Sequence, residues 1–218
     1  MKKVFMAFAM TVGMVFCVSC GKTETASLPV STPEEVKTVL IAGNEEYVAN
    51  SSNKGDISKE RREDTATNGQ FPYATIITCS DSRVPAEHIF NAGIGDLFVI
   101  RTAGNVIGDY ELGSVEYGAE HLNTKLVVVM GHTGCGAVQA TLEGGGHGNV
   151  QAITDEIASC LTPDCSATEA EILNVKNSID KINSSEAIQE LTVEGLVEVV
   201  GAIYDISTGT VTFLDYFT

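Results

Sequence analysis

Aromatic and basic residues are scarce in this chain of 218 residues, and each scarcity excludes a kind of core or a kind of partner. There is no Trp and only 6% of the residues are aromatic, so a folded core must rely on aliphatic side chains. Basic residues number 13 against 29 acidic ones, and the resulting charge of -16 repels nucleic acids and anionic membranes. No internal repeat or low-complexity stretch is visible. A composition of 44% hydrophobic and 19% charged residues is typical of one folded globular domain.

The apolar stretch near the start of the sequence is too short to cross a bilayer. The stretch at residues 4–16 follows two lysines and precedes small residues, an order typical of a secretory signal. Cys20 comes directly after a small residue at the end of this segment, which resembles a bacterial lipoprotein signal. We therefore predict that Cys20 is lipidated. A plainly cleaved signal is the alternative, and both predict export.

This signal predicts the domain organisation and the location of the protein. Residues 1–19 would be the signal peptide, residues 20–31 a polar tether and residues 32–218 a single folded domain. We expect a periplasmic protein or a membrane-anchored lipoprotein of a bacterium. The acidic surface excludes any other attachment to an anionic membrane.

Export also affects the interpretation of the cysteines, since four of them follow Cys20. In an oxidising compartment such cysteines commonly form disulfides. Cys160 and Cys165 flank a short turn, and the sequence leaves open whether they are joined. Cys79 and Cys135 stand in motifs with other reactive side chains, which a disulfide between them would leave unexplained.

Short β-rich runs alternate with helical patterns from residue 73 onward. Residues 125–130 are a continuous apolar run of the kind that is buried on both faces of a parallel sheet. The last two runs, residues 196–205 and 211–214, are joined by a turn and predict a hairpin. We therefore expect an α/β fold, with a mainly parallel central β-sheet flanked by helices and an antiparallel edge strand at the C-terminus. The predicted helices include residues 32–50, 84–90 and 167–190.

Two motifs follow predicted strands directly. They are Cys79-Ser80-Asp81-Ser82-Arg83 and His132-Thr133-Gly134-Cys135. Ligands of open parallel sheets bind beyond the carboxyl ends of the strands, so we expect the two motifs to meet there. If the chain stays extended after Cys79, then Cys79, Asp81 and Arg83 point the same way.

Two thiolates and one imidazole suit Zn²⁺, and three protein ligands with a free fourth position are typical of a catalytic site. We predict one zinc ion per subunit on Cys79, His132 and Cys135. Asp81 would orient a zinc-bound hydroxide, and Arg83 would keep Asp81 ionised and away from the metal. Because two thiolates leave the metal formally neutral, its water should be less acidic and activity should rise toward alkaline pH.

Three stretches, CSDSRV, GDLFVIRTAGN and HTGCGAV, resemble the β-class carbonic anhydrases, and the likeness runs from about residue 43 to residue 209. The resemblance implies zinc-dependent carbonate dehydratase activity, which is the reversible hydration of carbon dioxide to bicarbonate and a proton. It also implies a homodimer or higher homo-oligomer with active sites at the subunit interface.

The resemblance further implies a set of substrate-binding residues, which match those of the plant-like, open-site subgroup: Gln70, Phe98, Tyr117 and Gly136. Ile76 stands where the allosteric subgroup carries Trp. Thr102 replaces the Asn that usually follows Arg101 in the family, so we expect the hydrogen bonding around Arg101 to differ.

Two other functions stay open at this point. Hydrolysis of carbon disulfide or carbonyl sulfide, which some members of this fold perform, would use the same zinc chemistry. A zinc- or bicarbonate-binding protein without turnover is the second alternative, and Asp81, Arg83 and Gln70 argue against it.

Overall fold

A five-stranded sheet lies at the centre of the computed structural model, which describes residues 30–50 and 52–214. Its strands are β1 Ala74–Cys79, β2 Leu97–Thr102, β3 Leu126–His132, β4 Glu198–Tyr204 and β5 Val211–Leu214. The spatial order is β2-β1-β3-β4-β5, in which the first four strands are parallel and β5 runs antiparallel to β4. The predicted fold class is confirmed.

Helices connect the strands and cover the sheet. They are α1 Pro33–Asn50, α2 Lys59–Asn68, α3 Ala86–Ile89, α4 Asp109–Glu120, α5 Gly136–Leu142, α6 Asn149–Ala158, α7 Ala167–Asn183 and α8 Glu186–Val193. Among the residues that the structure describes, no helix combines the length and the apolarity needed to cross a membrane. The predicted signal peptide and Cys20 lie outside the described residues.

The single helix predicted over residues 167–190 is wrong, because two helices meet there. Helix α7 ends before Ser184, and Ser185 caps the start of α8 by accepting a hydrogen bond from the Ile188 N–H at 3.4 Å. The Ser185 hydroxyl also donates to Glu116 at 2.7 Å. Serine side chains compete for backbone hydrogen bonds, which favours a cap over a helix interior. The helix predicted over residues 84–90 is likewise only the single turn of α3.

Alternate side chains of the strands pack against helices on opposite faces of the sheet. Ile76 and Val128 belong to a core that α1 and α3 cover, and Ile77 and Val127 belong to a core that α4, α7 and α8 cover. Strands β1 and β3 are buried along their whole length. Their carboxyl ends therefore have a rigid support, which positions whatever side chains follow.

Asn44 is the polar member of the buried face of α1, where it follows Val36 and Leu40 at intervals of four residues. Its amide donates to the carbonyls of Ile89 at 3.1 Å and Gly209 at 2.8 Å. Its Oδ1 accepts from the Val211 N–H at 2.8 Å. One side chain thus joins α1 to the end of α3 and to the hairpin between β4 and β5.

Replacing Asn44 by alanine is expected to lower the free energy of unfolding by about 3 kcal/mol, because buried backbone groups lose their partners. Urea unfolding of the metal-free protein measures this change. Asn50→Ala is the matched control on the same helix, since the exposed Asn50 side chain donates to the Glu46 carbonyl of its own helix. Equal stability of the two variants would contradict the structural role of Asn44.

Candidate active site

Two strand ends bring three metal-ligating side chains together. Strand β1 ends at Cys79 and its neighbour β3 ends at His132, and Cys135 follows in the turn that leads into α5. The two sulfur atoms and the imidazole nitrogen all lie within 4.8 Å of one another. Cys79, His132 and Cys135 are 5%, 0% and 3% exposed, so the cluster is almost closed to solvent within one chain. Gly136, the first residue of α5, adjoins the cluster and is exposed.

The hydrogen bonding of His132 leaves its Nε2 atom available to bind a metal. The Nδ1 atom lies 3.0 Å from the Thr133 carbonyl, which can only accept, so Nδ1 carries the proton in the neutral ring. Nε2 is buried and has no hydrogen-bond partner among the described residues. A ligating histidine commonly donates its other N–H to a carbonyl in this way. The donor set of two thiols and one free imidazole nitrogen fits a zinc ion.

The surroundings of Cys79 favour its thiolate form. A hydrogen bond from Cys135 lowers the pKa of Cys79 against the effect of burial, and His132 adds to the lowering. The backbone N–H groups of Gly104 and Asp81 also donate to the Cys79 sulfur, at 3.2 and 3.4 Å. The same contact with Cys79 raises the pKa of Cys135, which keeps the shared proton. A metal that binds both sulfur atoms as thiolates would displace the protons that they carry.

Asp81 and Arg83 form a bidentate ion pair beside the cluster. Arg83 donates from Nε to Asp81 Oδ1 at 2.9 Å and from Nη2 to Oδ2 at 2.7 Å. Its backbone N–H also donates to Oδ1, at 2.9 Å. These hydrogen bonds hold the pKa of Asp81 well below its usual range. The carboxylate is turned toward Arg83 and lies outside the converging group of two cysteines and one histidine.

The expectation of an extended backbone through residue 83 is wrong. Strand β1 stops at Cys79, and a turn follows in which the Val84 N–H donates to the Asp81 carbonyl at 3.0 Å. This turn folds Arg83 back onto Asp81. The side chains still share one space, but a turn rather than a strand brings them there.

Arg101 holds the backbone of the first motif from the neighbouring strand. Its Nε donates to the Cys79 carbonyl at 3.1 Å and its Nη2 to the Asp81 carbonyl at 2.6 Å. The Thr102 hydroxyl donates to the Val106 carbonyl at 2.7 Å. Thr102 thus closes the loop after β2 while Arg101 fixes the position of Asp81.

Two residues of α7 that sequence reasoning missed also contact the site. The Cys135 N–H donates to Glu171 Oε1 at 3.2 Å, and Asn174 Nδ2 donates to the Gly104 carbonyl at 2.6 Å. The sequence held one signal for them. They interrupt the apolar stripe of a helix whose neighbouring positions Val175 and Ile179 are core residues.

Three of the predicted substrate-binding residues lie away from the cluster within one chain. Phe98 stands four residues before Thr102, which pairs with Cys79, so the strand separates Phe98 from the cluster by about 13 Å. Tyr117 accompanies Phe98, with ring centroids 6.1 Å apart. Gln70 precedes the amino end of β1. These three residues therefore lie toward the amino ends of the strands, and the cluster lies at the carboxyl ends.

Comparison with known proteins places the chain in one family. The family model described as carbonic anhydrase matches residues 74–211. "Carbonic anhydrase 2" of Mycobacterium tuberculosis is 35% identical over 200 residues, which cover 87% of this chain and 96% of that protein. The solved β-carbonic anhydrase CafA of Aspergillus fumigatus is 30% identical at a TM-score of 0.63, over 83% of this chain and 91% of that one. A tetrameric β-carbonic anhydrase of Sordaria macrospora, at 24% identity and a TM-score of 0.64, shares the fold.

The match spans strands β1 to β4 and both motifs that converge on the metal-ligating cluster. The Mycobacterium tuberculosis relative is covered almost from end to end, so the likeness is not confined to one motif. The chain therefore belongs to the β-class carbonic anhydrases, a family of carbonate dehydratases.

Proposed function

We propose that this chain binds one zinc ion through Cys79, His132 and Cys135 and catalyses the reversible hydration of carbon dioxide to bicarbonate and a proton. The observation that supports this best is the convergence of three donor atoms within 4.8 Å, with the nearby carboxylate held aside by an arginine. When bound, zinc would lower the pKa of water and so supply a hydroxide nucleophile near neutral pH.

Asp81 would orient that nucleophile through its Oδ2 atom. A carboxylate oxygen offers about two acceptor positions. Arg83 donates twice to Oδ1, which uses both positions, and only once to Oδ2. The free position on Oδ2 would be able to accept a hydrogen bond from such a hydroxide and so orient it toward the substrate.

Arg83 would keep this acceptor both charged and correctly aimed. Its Nη2 also approaches the Gly134 carbonyl at 3.4 Å, so the guanidinium spans the two motifs. A bidentate pair of this kind restricts the carboxylate more than a single contact would. Asp81 is thereby kept from becoming a fourth metal ligand, which would close the position that the reaction needs.

The remaining pocket residues would come from a second copy of the chain. Three of these residues, Gln70, Phe98 and Tyr117, lie toward the amino ends of the strands, away from the cluster. One chain therefore cannot bring these side chains to its own cluster without refolding. Tyr117 is 47% exposed, which leaves it available to a partner. A homodimer or higher homo-oligomer would complete the site, and a solved protein of the same fold is tetrameric.

A shared site predicts that two inactive variants complement each other. In a heterodimer of Asp81→Asn and Gln70→Leu chains, one of the two sites contains both wild-type residues. Co-expression of the two differently tagged variants should therefore restore about a quarter of the wild-type rate in a random mixture, since a two-fold dimer repeats each interface. If the mixture is no more active than either variant alone, both residues act within one chain.

Stopped-flow carbon dioxide hydration with metal analysis tests the proposal as a whole. We expect about one zinc ion per chain and saturable turnover. A zinc-loaded protein without turnover would contradict the enzyme assignment and indicate a binding protein. Carbon disulfide and carbonyl sulfide, assayed in parallel, would reveal a hydrolase.

The rate of hydration is expected to rise from about pH 6 to about pH 9. A zinc site with neutral imidazole ligands brings the pKa of water to about 7, and two thiolates donate more charge and raise it. Asp81 does not produce this slope, because its lowered pKa keeps it deprotonated throughout this range. A pH-independent rate over the same range would contradict a nucleophile generated at a two-thiolate site.

We also propose export of the protein and a lipid anchor on Cys20. The supporting observations are the two lysines, the apolar residues 4–16 and the small residue before Cys20. Mass spectrometry of the mature N-terminus distinguishes an acylated Cys20 from an unmodified N-terminus.

A further inference from the structure

A row of polar side chains runs along the buried face of α7. Glu171, Asn174 and Ser178 are 5%, 1% and 1% exposed and follow one another at helical intervals of three and four. Side chains at these intervals lie on the same face of a helix. All three are directed at backbone groups of two loops, one after β2 and one after β3.

Two members of this row, Asn174 and Ser178, bind the loop after β2. Asn174 Nδ2 donates to the Gly104 carbonyl at 2.6 Å, and the Ser178 hydroxyl donates to the Asn105 carbonyl at 2.9 Å. Gly104 is the residue whose N–H donates to the Cys79 sulfur. Its φ of 69° is readily adopted only by glycine, and an added Cβ would meet Ile157 at 2.9 Å. Asn174 thus holds Gly104, the residue whose N–H contacts the Cys79 sulfur.

The third member of the row, Glu171, binds the loop after β3. Glu171 Oε1 accepts a hydrogen bond from the Cys135 N–H at 3.2 Å, and Cys135 provides the second sulfur of the cluster. The glutamate therefore contacts the backbone of one sulfur ligand, while Asn174 acts on the other through Gly104. A single helix connects the two.

We propose that Glu171 and Asn174 are positioning residues that set the separation of the Cys79 and Cys135 sulfur atoms for the metal. This inference rests on the proposed zinc site and assigns the two residues no contact with substrate. Because α7 is 17 residues long and packs on β3 and β4, it provides a rigid frame for both loops.

A merely structural role for these residues fits the hydrogen bonding less well. Asn174 is almost fully buried, and its Oδ1 has no partner among the described residues. A buried acceptor without a partner opposes folding, so an apolar side chain of similar shape would pack there at less cost. What asparagine adds is the contact with Gly104.

Zinc release measures this role separately from catalysis. In the full-length holoprotein, release to a chromophoric chelator is expected to be about tenfold or more faster in Asn174→Leu and Glu171→Leu than in the wild type, as is typical for residues that orient metal ligands. Glu171→Gln keeps an oxygen acceptor for the Cys135 N–H and should release zinc at close to the wild-type rate. The thiolate-to-metal absorption of the cobalt-substituted protein should shift in the leucine variants and not in Glu171→Gln.

Asn177→Ala is the matched control on the same helix, because its amide donates to Glu156 on α6 and not to either loop. Unchanged zinc release in both leucine variants would overturn the proposal, as would equal acceleration by Asn177→Ala. If a leucine variant does not fold when free of metal, Asn174→Ala and Glu171→Ala replace it. A wild-type protein that binds no zinc would instead refute the proposed function, and metal analysis distinguishes that result from the others.

Discussion

Replacing Cys79 by serine is expected to remove both bound zinc and hydration activity. Serine keeps the size of the side chain, but its hydroxyl stays protonated at neutral pH and is a hard ligand where zinc favours a thiolate. Without the metal no hydroxide is available near pH 7, so kcat/KM should fall on the order of a thousandfold or more. Metal analysis after dialysis and stopped-flow hydration assays measure the two losses.

The surroundings of Cys79 increase this effect. Gly104 and Asp81 direct their N–H groups at the sulfur, and the Cys135 thiol lowers its pKa, so the site is built around an anion at this position. A neutral hydroxyl meets the same donors and binds them more weakly.

Cys160→Ser is the matched control for this substitution. The Cys160 thiol is partly buried, donates to the Ile157 carbonyl and lies outside the metal cluster. We expect full zinc content and full activity in this variant. Zinc retained in Cys79→Ser at the wild-type level would mean that Cys79 is not a ligand.

The fold was largely predictable because its strands are short, apolar and regularly spaced. The run at residues 125–130 corresponds to β3, which is buried throughout, and the hairpin at the end of the chain corresponds to β4 and β5. What escaped prediction depends on tertiary contacts. The break at Ser184 and Ser185 requires knowing that a serine caps a new helix and bonds to Glu116. Asn44 occupies a position in the apolar stripe of α1 that only its partners explain.

The candidate site shows the same division between local pattern and tertiary contact. Parallel strands end at one edge, so two motifs at strand ends were expected to meet, and the structure brings Cys79, His132 and Cys135 together. The roles of Arg101 and Asn174 could not be predicted, since each acts on a backbone carbonyl far away in sequence. In the part of the chain that the structure describes, the four cysteines are free thiols, so Cys160 and Cys165 are not joined in it.

Removing the Arg83 side chain is expected to leave zinc bound while lowering kcat/KM by about a hundredfold, the upper range for a residue that orients a group at a metal site. The folded state should lose little stability, because Arg83 is half exposed and exposed ion pairs contribute little to the free energy of unfolding. Arg62→Ala is the matched control, since Arg62 is exposed and its guanidinium donates to the Ile57 carbonyl. Unfolding curves and zinc content separate the loss of activity from a loss of structure.

A double variant shows what Arg83 prevents. If Arg83 keeps Asp81 away from the metal, Arg83→Ala lets the carboxylate turn toward the cluster and occupy the fourth position. Removing Asp81 as well then reopens that position, so the double variant Asp81→Ala/Arg83→Ala should be at least as active as Arg83→Ala alone. Losses that simply add would mean that the two residues act independently, because contacting residues with a shared role give non-additive effects. The ion pair would then contribute charge near the site and not access to the metal.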